Sequence, residues 1–132
     1  MKWLDRTLIT SPYYYGLCLT EQDFQKELKK LNVPLHEYAP HVGHVDGATT
    51  HYYEQGSQKI AIVCLGDVKE YNTAQLAALI AHEATHIWQV CMAEFGEHNP
   101  SAEFEAYSIQ QITQNLLEDY KRQTTKKKRN VK

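Results

Sequence analysis

Residues 72–92 constrain this chain more than any other stretch. Leu76, Leu79, Ile80, Ile87 and Val90 recur there at helical spacing, with Asn72 or Thr73 placed to cap the helix and Gln75 as reciprocal partner if Asn72 is the cap. A helix with a long apolar stripe has to lie on another layer, so the chain must supply a sheet or further helices to cover it. Both are present in the pattern. Residues 59–65 are β-branched and apolar, end at Gly66, and read as a buried strand. Residues 49–53 read as a second strand and residues 54–57 as the turn of an antiparallel hairpin. Upstream, Thr20 caps a helix carrying Phe24, Leu28 and Leu31, which Pro34 stops. Downstream of Gly96 and Pro100, Ser101 opens a last helix carrying Ala106, Ile109, Ile112, Leu116 and Tyr120. The aromatic-rich residues 1–19 are expected to pack as an extended arm. The fold class is therefore α+β: a small antiparallel sheet or hairpin packed on the 72–92 helix and a following helix.

At 132 residues the chain fits one domain, placed at 1–122. Its 42% hydrophobic and 23% charged residues exclude wholesale disorder. No apolar run approaches the ~18–20 residues of a membrane span, and the charged start Met1-Lys2-Trp3-Leu4-Asp5-Arg6 lacks a signal peptide's apolar region. A cytoplasmic protein with reduced Cys18, Cys64 and Cys91 is the expectation. The net charge of −2 conceals an uneven split, because seven of the fourteen Lys/Arg residues fall in 121–132 with no acid among them. Residues 123–132 read as a basic, disordered tail. A dedicated nucleic-acid role is not expected from it.

Inside the 72–92 helix stands His82-Glu83-Ala84-Thr85-His86. Four residues make about one turn, so both imidazoles leave one face and can grip one metal ion, with the Glu83 carboxylate beside it to take a proton from water. With seven histidines in the chain, chance supplies this pattern about 0.03 times, so its place on a helix with a buried face argues for chemistry. Zinc prefers four ligands and a catalytic site leaves one to water, so a third protein ligand is needed. Position 92 is Met, which excludes a histidine six residues after His86, and His98 sits in a loop. A glutamate at the start of the last helix is the better source, either Glu103 or Glu105. Periodicity puts Glu105 on the face of Ile109 and Ile112 and Glu103 on the flank. His41 and His44, three apart in a loop with no carboxylate cluster, read as polar loop residues.

The pattern H-E-x-x-H, followed by E-x-x-A opening the next helix, resembles the gluzincin branch of the zincin metallopeptidases. The segments 81–89 and 100–110 are also similar to small zincin-like proteins encoded by phages and prophages. The resemblance implies a minimal zincin-like domain binding Zn²⁺ through His82, His86 and Glu103, with Glu83 as general base in peptide hydrolysis. It sets Tyr107 where the family carries Asp or Asn, and leaves Glu105 as a supporting polar contact. A donor for the tetrahedral oxyanion is implied as well, with Tyr107, His98 and His51 as candidates. The hairpin would line the cleft and pair with an extended peptide or protein substrate. The alternative is a zinc-binding zincin fold without turnover, serving as a structural or binding component, for example of a phage. A general base such as Glu83 has no use in a purely structural site, which favours the enzyme.

Overall fold

A strand buried on both faces organises the molecule. The computed structural model describes residues 1, 10–43 and 47–129, in the order β1 (Tyr13–Cys18), α1 (Glu21–Lys30), a 3-10 turn (Leu35–Glu37), β2 (Ala48–Gln55), β3 (Gln58–Leu65), α2 (Thr73–Phe95) and α3 (Ala102–Arg129). Within β3 every residue from Ala61 to Leu65 is buried. Alternation explains this: Ala61, Val63 and Leu65 face one cluster with Ile80, Ala84, Ile87, Trp88, Ile112 and Leu116, while Ile62 and Cys64 face Phe24 and Leu28 of α1. The fold is α+β, with α1 on one side of the sheet and α2 and α3 on the other.

The sheet order is β1-β3-β2. The expected hairpin is present, tightened to the two-residue turn Gly56-Ser57 between paired Gln55 and Gln58, with Gly56 at φ 60°. The aromatic arm does more than pack: Tyr13–Cys18 joins β3 in parallel, Tyr13 opposite Lys59 and Cys18 opposite Cys64. The sheet is therefore mixed, not purely antiparallel. Residues 2–9 of the arm lie outside the described residues.

Caps define the helices. Thr20 Oγ1 accepts Asp23 N–H at 3.1 Å to start α1. Asn72 Oδ1 accepts Gln75 N–H at 2.8 Å while Gln75 Oε1 accepts Asn72 N–H at 2.9 Å, a reciprocal pair that fixes the start of α2. Gly96, left-handed at φ 71°, ends it. Ser101 Oγ accepts Phe104 N–H at 3.2 Å as α3 begins. The helix then runs to Arg129, so residues 123–129 continue it where a disordered tail was expected. Gln123 Nε2 donates to the Leu17 carbonyl of β1 at 2.9 Å, and Thr124 Oγ1 donates back to Tyr120 O. Among the described residues no helix is long and apolar enough to cross a membrane.

Candidate metal centre and cleft

The capped start of α2 sets which way its side chains leave. Ile80, Ala84, Ile87, Trp88 and Cys91 turn to the core, which leaves His82 and His86 on the exposed side. Their Nε2 atoms approach to 3.0 Å. A tetrahedral zinc with Zn–N near 2.05 Å separates two nitrogen ligands by about 3.3 Å, so the pair is already near chelating distance. His86 Nδ1 lies 3.1 Å from Gln89 Oε1. A hydrogen on Nδ1 donated to that oxygen would leave the Nε2 lone pair facing His82, on the side where a metal would be held. Two imidazole nitrogens converging on a carboxylate-bearing helix suit zinc by donor type and by spacing.

Glu83 turns the other way. It is 5% exposed, and its Oε2 accepts the hydroxyl of Thr50 on β2. A carboxylate this deep needs such a donor, since desolvation without one costs several kcal/mol, roughly. Thr50 and Tyr52 of β2 with His82, Glu83, His86 and Gln89 of α2 line one cavity of about 390 Å³. A second hollow of about 540 Å³ shares His82 and Glu83 and extends along Gly47, Tyr71 and Leu79. The site thus opens on both sides of the His82-Glu83 pair. Another hollow of about 500 Å³, between β1, α1 and α3, brings together Lys26, Glu27, Asp119 and Arg122 without an imidazole. It lies away from the motif and has no part in this chemistry.

Glu103, Glu105 and Tyr107 are all exposed in the first turns of α3, and Tyr107 retains 66% exposure. Among the described residues no group of three His, Cys, Asp or Glu side chains gathers at metal-binding spacing, so neither glutamate joins the histidine pair in this structure. Phe104 between them packs edge-on against Trp88, ring centres 4.9 Å apart, which docks the start of α3 beside α2. At about 100° per residue, Glu105 shares the side of buried Ile112, and Glu103 lies across the helix. His98 is exposed in the loop before α3. His51 is on the opposite face of the sheet, stacked on Phe24 at 4.7 Å with Nε2 against the His41 carbonyl. His41 is buried with Nε2 3.2 Å from the Cys18 carbonyl, where a solvated polar loop was expected; His44 lies outside the described residues.

Three residues of the site were missed by sequence reasoning: Thr50, Tyr52 and Gln89. The signal was available for the first two. Thr50 and Tyr52 pair with Val63 and Ala61, which share the side of β3 that meets α2. Parity alone therefore puts them beside the motif and His51 on the far face. Tyr52 rests edge-on against Tyr13, ring centres 5.8 Å apart. Burial first, and the nearby Glu83 charge second, push its phenol up to about 12. Set beside known proteins, the chain matches no family model, no curated protein and no solved structure.

Proposed function

We propose that this protein is a zinc-dependent peptidase in which His82 and His86 hold the ion, Glu83 is the general base, and Glu103, which does not gather with the histidines here, is the third ligand to be tested. The observation that carries the reading is the 3.0 Å approach of His82 Nε2 and His86 Nε2 beside a buried carboxylate in one cavity. Zinc held there supplies a Lewis acid that polarises a carbonyl and acidifies water. The chain's own residues do the rest. Gln89 orients the His86 ring. Thr50 fixes the Glu83 carboxylate through Oε2, so that its position is set before substrate arrives. Glu83 takes the proton of the attacking water and returns it to the leaving amine. Strand β2 is at the edge of the sheet, and its outer backbone groups can pair with an extended peptide lying along the cleft.

One observation favours the second reading, a zinc-binding protein without turnover: neither α3 glutamate gathers with the histidine pair. Metal analysis joined to a peptide-cleavage assay separates the two. The peptidase holds about one zinc per chain, loses it in His82→Ala or His86→Ala, and loses several orders of magnitude of cleavage in Glu83→Gln with the zinc retained. Full zinc without cleavage of varied peptides by the wild type supports the non-catalytic reading. Stoichiometric zinc in the double histidine variant refutes both.

A further inference from the structure

We propose that Cys18 and Cys64 form a reversible oxidation site, closed to a disulfide by hydrogen peroxide or another small neutral hydroperoxide and reopened by a dithiol. Parallel pairing of β1 with β3 sets the two residues opposite each other in register. Paired strands lie about 4.7–4.9 Å apart, inside the ~4.4–6.8 Å between Cα atoms that a disulfide spans. Both side chains leave the same face of the sheet, into one buried cluster with Phe24 and Leu28 of α1. Cys18 ends β1, so any small closure needed to bring the sulfurs to bonding distance falls where the strand stops. Cys91 is the control that the fold supplies. It is buried on the opposite side of the sheet from the pair, with its sulfur 3.8 Å from Ser11 Oγ. Neither Cys18 nor Cys64 lines the histidine cleft, so the site stands apart from the peptidase reading.

The two thiols are not equivalent. Cys18 lines the hollow of about 500 Å³ between β1, α1 and α3, whereas Cys64 is fully buried and does not. Acids and bases around that hollow are matched, Asp23 with Lys26, Glu27 with Lys30 and Asp119 with Arg122. It therefore draws a charged oxidant of neither sign and suits a small neutral one. The Cys64 thiol, donating towards Cys18, holds the Cys18 thiol below the ordinary range against the opposing effect of burial; the same interaction, together with burial, pushes Cys64 up. Cys18 is thus the nucleophile and Cys64 the resolving thiol. The Cys18 sulfur attacks one peroxide oxygen and the O–O bond breaks. A sulfenic acid forms, and the departing hydroxide takes the Cys18 proton and leaves as water. The Cys64 sulfur, losing its proton, then attacks the Cys18 sulfur. The S–O bond breaks, the S–S bond forms, and hydroxide leaves with that proton as a second water. The thiols give up two electrons and the peroxide accepts them. A dithiol reverses the change by exchange and departs as its own disulfide.

The test treats reduced, full-length wild type with hydrogen peroxide, counts free thiols in denaturant and maps linked peptides by mass spectrometry. Three free thiols should fall to one, Cys91, with Cys18 joined to Cys64 within one chain, and dithiothreitol should restore all three. Cys64→Ser should stop at a sulfenic acid on Cys18 that dimedone captures. Cys18→Ser should slow oxidation of Cys64 by at least about tenfold. Three thiols remaining after a treatment that oxidises the same chain in urea, or linkage through Cys91, overturns the site. Oxidation of Cys64 at the wild-type rate in Cys18→Ser overturns the assignment of Cys18 as nucleophile. The deciding count is made on wild type, so it stands even where a serine variant fails to fold.

Discussion

The contact between Thr50 and Glu83 can be tested on the fold without any activity. Replacing Thr50 by Val keeps the shape and removes the donor to Glu83 Oε2, on a side chain that is 5% exposed. Hydrogen bonds to charged groups contribute about 1.5–3 kcal/mol, and the stranded carboxylate has little water to replace the lost partner. With an unfolding entropy of ~2.1 cal/mol/K per residue over 132 residues, that loss lowers the melting temperature by about 5–11 °C. Valine offsets part of this by adding apolar surface at a half-buried position, up to about 1 kcal/mol. A double-mutant cycle removes that term. Thr50→Val is measured by urea denaturation in the wild type and in a Glu83→Leu background, where no acceptor remains. The coupling should be about 1.5–3 kcal/mol, and Thr50→Ser should keep most of the stability. A coupling below about 0.5 kcal/mol would show that Glu83 does not depend on Thr50, and the preset base would have to be abandoned.

Three further outcomes are expected. If Glu103 is the third ligand, Glu103→Ala lowers zinc affinity by far more than the ~10–100-fold of a supporting residue, while Glu105→Ala stays within it; the reverse pattern in a competition titration transfers the role to Glu105. Truncation after Arg122 removes the Gln123 bond to the Leu17 carbonyl and should cost about 0.5–1.5 kcal/mol, whereas truncation after Thr124 should cost nothing measurable by thermal melting. The Tyr52 phenol is pushed up to about 12 in the folded chain, above its ordinary value near 10. Its protonated form is thus favoured by folding, a contribution complete below about pH 10 and lost as pH rises through 10 to 12. Wild type should lose more stability over that window than Tyr52→Phe, and identical alkaline profiles would contradict the burial of that phenol.

Local chemistry made the helices legible. The Asn72–Gln75 pair, Thr20 and Gly96 act within four residues of themselves, so capping could be read from sequence and recurs in the structure. The histidine pair was legible for the same reason, since one helical turn fixes it. What escaped depends on partners remote in sequence. Nothing near Tyr13–Cys18 announces a parallel partner, because parallel pairing leaves no turn to recognise. The basic run after Arg122 looked unable to support structure, yet α3 carries it as an extension of a helix already anchored by Ile112 and Leu116. A third partner for the histidine pair was not legible, since Glu103 and Glu105 differ by half a turn of a helix whose register against α2 no local signal states, and neither gathers with the pair among the described residues.

The pairing of β1 with β3 has a consequence for how the chain is made. Tyr13 and Lys59, opposite each other in the sheet, are some 46 positions apart in the chain. The hairpin of β2 and β3 can close locally, but β1 lacks its β3 partner until β3 has left the ribosome. At about 5–20 residues per second that interval lasts roughly 2–9 s. Throughout it Tyr13, Leu17 and the Cys18 thiol, all buried in the finished sheet, are open to solvent. The nascent Tyr13–Cys18 segment therefore exposes apolar side chains and a thiol that the finished sheet buries, and chaperones or oxidants that meet this chain would find their target during translation.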